Sequence, residues 1–310
     1  MRDPIREELK AEVREFWNRL SCDTQVASSL KFSLDYFEEI ESFRYRDQPF
    51  IHAFAQFSRY YGKRVLEVGF GAGTDFIQWL RAGARASGID LTSEAFENLK
   101  HRIQAYHLPA PEQILVADAE RLPFESNSFD LGYSFGVLHH SPDMEKAMAE
   151  LVRVVRPGGE IKIMLYNRHS IYVFNQWVKF GLLRGEPLQS LRSILWNHIE
   201  SVGTKGYTRG ELVQIFSELP VEKISVRTEI TSADYLSASA RPFLNAIYRI
   251  AIRLAGYSYD WNPACYVERP NSIEHAAPRK SPHPSEKIAF SGNRLGFFHC
   301  INATKRDNEL

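Results

Sequence analysis

The chain has 310 residues, with 38 Lys and Arg against 38 Asp and Glu, so its formal net charge is zero. Hydrophobic residues are 44% and charged residues 25%, an ordinary globular composition that excludes disorder along most of the chain. The neutral balance argues against broad nucleic-acid binding, which needs an excess of Lys and Arg to displace counterions.

In chain order, the first residues, Met1 to Glu8, mix charges and lack an apolar core, so a secretory signal peptide is not expected. Ile5, Leu9, Val13, Phe16, Trp17 and Leu20 recur at helical spacing and predict an amphipathic helix over 4–20. An aromatic-rich helical region is expected from Phe32 to Tyr61. The pattern then changes. Arg64 to Val68 is a short apolar run that meets glycines and reads as a buried strand. A helix is expected from Thr74 to Arg81, a strand over Ala86 to Ile89, and a helix capped by Thr92 running to Tyr106. Strands follow at Ile114 to Val116 and Phe129 to Ser134. Ser141 and Pro142 look like the cap and first residue of a helix that ends near Arg156 to Gly159, before a strand from Glu160 to Tyr166. This alternation predicts a parallel sheet with helices on both faces. Residues 170–200 read as inserted helices, and Thr208 to Glu211 as a capping box opening a helix to Leu219. Val221 to Thr228 and Leu295 to Ala303 are the last expected strands, separated by an apolar helix near 241–255 and a Pro/Ser/Lys-rich stretch, 262–292. No apolar run approaches the roughly 20 residues of a membrane span. Cys22, Cys265 and Cys300 are far apart and form no CxxC pair, so neither a disulfide framework nor a zinc site follows. A reduced, cytoplasmic protein is the simplest reading.

The motif with most chemical content is Glu67-Val68-Gly69-Phe70-Gly71-Ala72-Gly73-Thr74, at the end of the first core strand. Its glycines permit a sharp turn and close approach of a ligand, and the following helix offers free N–H groups. A dinucleotide fingerprint starting at Gly69 would need glycine at position 74, where Thr74 stands, and no Walker lysine follows. Asp90 ends the second strand and Asp118 the third, so both carboxylates belong at the sheet edge where ligands bind in open parallel sheets.

With Leu122-Pro123-Phe124, Phe129-Asp130, Val137-Leu138-His139-His140 and Arg153-Val154-Val155-Arg156-Pro157-Gly158-Gly159, these residues resemble class I S-adenosylmethionine-dependent methyltransferases over about residues 62–167. The resemblance implies a Rossmann-like, seven-stranded, mostly parallel sheet with an antiparallel last strand. It implies S-adenosylmethionine as cofactor and S-adenosylhomocysteine as product. Glu67, Gly69, Gly71 and Gly73 would then hold the methionine part. Asp90, with Leu91 beside it, would hold the ribose hydroxyls, and Asp118, with Ala119, the adenine amino group. Phe135 and Gly136 would lie beneath the sulfonium.

Methyl transfer asks for orientation and close approach, and for a base where the acceptor is a hydroxyl. His139 and His140 follow the fourth strand, and either could be that base, with one expected to pack and the other to face the pocket. Tyr166, Arg168 and His169 at another strand end, and His198, Lys205 and Tyr207 in the insertion, are candidate acceptor-binding groups. The expected activity is methylation of a small, aromatic or apolar acceptor at oxygen. N-, S- or C-methylation, a SAM-binding protein without catalysis, and a nicotinamide oxidoreductase are the alternatives. No metal is expected, because no carboxylate or thiolate set clusters on the acceptor side. The expected organisation is a helical lid over 1–61, the core over 62–167, a helical insertion over 168–207, and the rest of the core over 208–310 with an insert at 231–292. Twelve of the 20 Phe, 14 Tyr and 5 Trp precede residue 62, so acceptor choice is expected in the lid and the late insertions. Their apolar faces would equally suit a homo-oligomer.

Overall fold

The computed structural model describes residues 4–234 and 288–307. The expected helix near 241–255, most of the 262–292 stretch and Cys265 lie outside the described residues.

Among the described residues, eight strands form one sheet: β1 (Arg64–Val68), β2 (Arg85–Asp90), β3 (Gln113–Val116), β4 (Phe129–Phe135), β5 (Val155–Tyr166), β6 (Val221–Glu229), β7 (Ile288–Gly292) and β8 (Phe298–Lys305). Their order is β3-β2-β1-β4-β5-β8-β6-β7. β8 runs antiparallel to β5 and β6, and every other pairing is parallel. The doubly wound sheet and its antiparallel last strand are as expected, but the strand count is eight rather than seven. The additional strand is β7, which adds to β6 at the sheet edge from the end of the stretch read as loop. Ile288 is buried against the sheet, whereas Ser291 and Gly292 are exposed, so the apolar signal in this strand is short.

The period of two along each strand builds two cores. In β5, Ile161, Ile163 and Leu165 face one side with α6 (Met144–Val154) and α9 (Arg209–Ser217). Met164 and Tyr166 face the other, with α3 (Ile51–Ala55), α4 (Phe76–Arg81), α5 (Ser93–Ala105), α7 (Ile171–Phe180) and α8 (Leu191–His198). Lys162 also points to this second side. Its Nζ donates to the carbonyls of Phe54 and Ala55 at 2.8 and 3.0 Å, which end α3 against the sheet. Burial lowers the pKa of Lys162 to about 8.

Three boundaries depart from the periodicity. The aromatic region 32–61 is not one helix: α2 (Leu34–Asp47) stops before Pro49, and α3 stops at Gln56, which is left-handed at φ 58°. Proline disfavours helical backbone at the residue before it, and Gln48 accordingly leaves the helix. Asp143, not Ser141, caps α6, accepting from the Lys146 N–H at 3.1 Å. Ser141 instead donates to Glu120 at 2.5 Å. β5 begins at Val155, directly after α6, and Pro157 to Gly159 lie within it at a register irregularity against β4. The expected caps at Thr92 and Thr208 are present, the latter as a full capping box with Glu211. Among the described residues, no helix is long and apolar enough to cross a membrane.

Candidate active site

A cavity opens at the carboxyl ends of β1, β2 and β4. The glycine loop forms its floor, and α1 (Pro4–Arg19) contributes Lys10, Val13 and Trp17.

The loop's shape follows from its glycines. Gly69, Gly71 and Gly73 have φ of 80°, 51° and 77°, where a side chain is strained. A Cβ on Gly69 would sit 2.2 Å from Val137 Cγ2, and one on Gly73 2.7 Å from Leu99 Cδ1. Gly71 is different: a Cβ there would meet only Cys22, at 3.5 Å, so this residue faces the cavity. Asp90 ties the loop to β2. Its Oδ2 accepts from the Gly71 N–H at 3.0 Å, and its Oδ1 from the Thr92 N–H and hydroxyl at 3.0 and 2.8 Å. Burial raises the Asp90 pKa, and these donors oppose that shift. A carboxylate has about four acceptor sites, so capacity remains for a ligand.

Glu67 belongs to the cavity wall but is held from behind. Its Oε2 accepts from Trp79 Nε1–H at 2.8 Å. Burial, and then the neighbouring Asp75, push its pKa well up. Asp118 is partly exposed: Oδ1 accepts from the Glu120 N–H at 2.9 Å, and Oδ2 from Lys10 Nζ at 2.7 Å. The same ammonium reaches Glu120 at 2.7 Å, so α1 is clamped over this end. Leu91, Ala119 and Phe135 all line the cavity.

The sequence reading missed a buried ion pair at the other end. Arg44, from α2, makes two bonds to Asp75, at 3.0 and 2.7 Å, and packs over Phe135 at 5.1 Å. Burial alone would raise the Asp75 pKa; the Arg44 pair and the Tyr133 and Tyr45 hydroxyls hold it down. Asp75 directly follows the glycine loop and could have been singled out, but nothing local marks Arg44 as its partner.

The two histidines separate. His139 is fully buried, does not line the cavity, and packs at a tilt against Tyr166, 3.8 Å between ring centroids. Burial lowers its pKa well below the usual histidine value, so the ring is neutral. His140 lines the cavity beside Trp17. The Thr204 and Ser201 hydroxyl oxygens lie 3.0 and 3.1 Å from His140 Nδ1; the Thr204 hydroxyl donates to the Ser201 carbonyl at 2.6 Å, so its oxygen is an acceptor for His140 Nδ1–H. That leaves the His140 Nε2 lone pair, 3.1 Å from a Glu200 oxygen. Glu200 itself accepts from the Tyr166 hydroxyl at 2.9 Å.

The remaining candidate acceptor groups do not gather around the glycine loop. Tyr166 lies behind His139, in the aromatic core with Phe297 and Phe298. Arg168 pairs with Glu211 at 2.7 Å, and with Lys205 and Tyr207 lines a second cavity that meets the first at Pro142. Lys205 donates to the Ser141 carbonyl at 2.6 Å, and burial lowers its pKa to about 8. His169 is exposed, and His198 stacks on Phe180 at 4.3 Å.

A strand-glycine-helix cradle with carboxylates on the next two strand ends fits S-adenosylmethionine: Gly71 leaves open space, and Asp90 keeps spare acceptor capacity. Comparison with known proteins agrees. The family described as methyltransferase domain matches residues 66–163. Methyltransferase GfsG of Streptomyces halstedii is 34% identical over 104 residues, covering 33% of this chain and 37% of that protein. The malonyl-[acyl-carrier protein] O-methyltransferase of Erwinia billingiae is 31% identical over 115 residues, covering 37% and 43%. The chain thus spans well under half the length of these curated relatives. The crystal structure of geranyl diphosphate C-methyltransferase from Streptomyces coelicolor superposes with a TM-score of 0.55 at 11% identity, covering 96% of this chain and 98% of that one, a likeness of fold. Residues 66–163 thus match a methyltransferase domain, and the cofactor that the cradle accommodates is S-adenosylmethionine.

Proposed function

We propose that this protein methylates an oxygen atom of a small acceptor, and that His140 takes up the proton of an acceptor hydroxyl. The observation that carries the reading is the state of His140. It lines the same cavity as the glycine loop, its Nδ1–H is donated to Thr204, and its Nε2 lies close to Glu200 without an aligned hydrogen bond. The lone pair is therefore available, and the Glu200 carboxylate stabilises the imidazolium that forms when Nε2 accepts a proton. Bound S-adenosylmethionine supplies an electrophilic methyl group on its sulfonium. Gly71, Asp90 and Asp118 would hold it, and the buried Arg44–Asp75 pair fixes the wall at the loop's other side. Val13, Trp17, Phe70 and Phe135 give the cavity an apolar lining suited to an apolar or planar acceptor. The second cavity, with Arg168, Lys205 and Tyr207, would receive the distal part of a longer acceptor.

The test is methyl transfer to a panel of phenols, alcohols, carboxylates, amines and thiols. Turnover on oxygen acceptors is expected, and turnover only on amines or thiols would overturn the oxygen assignment. His140→Gln should lower kcat on hydroxyl acceptors by about 10²–10⁴-fold while leaving S-adenosylmethionine binding within about twofold. Undiminished kcat would remove the base role. Calorimetric binding of S-adenosylmethionine with no product from any acceptor would mark a cofactor-binding protein without catalysis.

A further inference from the structure

We propose that His139, His140 and Glu200 form a binding site for one divalent transition-metal ion of the zinc class. One ligand atom from each lies within 4.8 Å of the others. A tetrahedral ion with bonds of about 2.0–2.2 Å holds its ligand atoms roughly 3.3–3.5 Å apart, so closure asks for movements of about an ångström.

The argument starts from an anomaly. His139 is fully buried, yet neither ring nitrogen has a hydrogen-bond partner. Buried polar atoms without partners are rare, because desolvation then goes uncompensated by about 1–3 kcal/mol. His140 Nε2 is a second such atom, buried and unpartnered in the same cluster. The Glu200 carboxylate, 3.1 Å from it, is an acceptor too. Unpartnered nitrogens of both imidazoles and a carboxylate converge, an arrangement that a cation completes.

The surroundings of His140 and Glu200 match what metal ligands need. Ligating histidines donate their other ring N–H to a fixed acceptor, which sets the tautomer. His140 does so, through Nδ1–H to Thr204. Glu200 is oriented by the Tyr166 hydroxyl, and the His139 ring by its tilted contact with the Tyr166 ring. Two imidazoles and one carboxylate suit zinc-class ions better than magnesium or calcium, which prefer all-oxygen sets. Three protein ligands would leave a fourth position open.

One consequence rests on the proposed function. The ion takes the Nε2 lone pair of His140, which that reading gives to the acceptor's proton, so zinc and catalysis on hydroxyls are mutually exclusive.

The test uses the full chain, freed of any tag and stripped with a chelator, without cofactor or acceptor. Titration with zinc chloride by calorimetry, and with cobalt(II) by visible absorption, should show one ion per chain. His139→Ala, His140→Ala and Glu200→Gln should each weaken binding at least tenfold, and Thr204→Val about tenfold. His101→Ala, which removes a histidine stacked on Phe32 far from the cluster, should leave it within twofold. Glu200 is exposed, so Glu200→Gln serves if a histidine variant does not fold. Binding in the parent no tighter than in Glu200→Gln overturns the site, as does an equal loss in His101→Ala. Neither result touches the oxygen assignment, which is read from methyl transfer in chelated protein.

Discussion

Asp90 carries two tasks at once. Its carboxylate holds the turn of the glycine loop through Gly71 and the start of α5 through Thr92, and its remaining acceptor capacity faces the cavity. Asparagine has only one carbonyl oxygen, so Asp90→Asn should leave a donor unpaired at about 1–3 kcal/mol. We expect a lower Tm together with S-adenosylmethionine binding weakened by about 10–100-fold, both readable by calorimetry. The loop glycines separate steric from conformational demands. Gly71→Ala must accept a left-handed backbone, at about 1–2 kcal/mol, but meets only Cys22. Gly69→Ala has the same demand and also drives a methyl group into Val137 at 2.2 Å. Thermal melts should therefore rank Gly69→Ala well below Gly71→Ala; equal stabilities would contradict the packing of Val137.

At the level of elements, α9 shows how a local signal and a distant contact combine. Thr208 and Glu211 close a capping box, and the same carboxylate accepts from Arg168 and Arg192, the latter a very short contact. Burial opposes ionisation of Glu211, but the Thr208 N–H and the two guanidinium groups outweigh it and lower its pKa to about 2. A carboxyl group depressed in the folded state stabilises the fold above its unfolded pKa, near about 4.3, and this stabilisation is lost as pH falls toward the folded value. Glu211→Gln should thus cost about 1 kcal/mol at pH 7, with the difference from the parent shrinking between pH 4 and pH 2. Urea melts across that range check this, and a pH-independent difference would assign the loss to packing instead.

Across the whole molecule, the cavity is closed by a helix remote in sequence from the loop it covers. α1 places Val13 and Trp17 over the glycine loop, Lys10 on Asp118 and Glu120, and Arg6 on Asp143. We propose that α1 acts as a lid, held by these charges and opening for cofactor exchange. S-adenosylhomocysteine should slow tryptic cleavage at Arg14 and Arg19 several-fold, and Lys10→Met should speed it without ligand. Cleavage indifferent to both changes would mean that α1 only covers the sheet.

The glycine loop, the acidic strand ends, the strand-helix alternation and the caps at Thr92 and Thr208 were legible in the sequence, because each is set by residues within a few positions of one another. The sequence alone thereby determined a doubly wound sheet and put the glycine loop and two carboxylates at the strand ends where the cavity opens. Tertiary structure decided what depends on residues far apart. It put Arg44 on Asp75, Lys10 on Asp118, and Glu200 beside the histidine pair. It turned His140 toward the cavity and His139 into the core, and it sent Arg168, Lys205 and Tyr207 to a neighbouring cavity. The added edge strand β7 belongs to the same class, since its pairing with β6 joins residues more than 60 positions apart. Backbone turns and caps are governed by short-range sterics and hydrogen bonds that a few adjacent residues express. Ion pairs, ring stacks and strand additions depend on which surfaces the completed packing brings together.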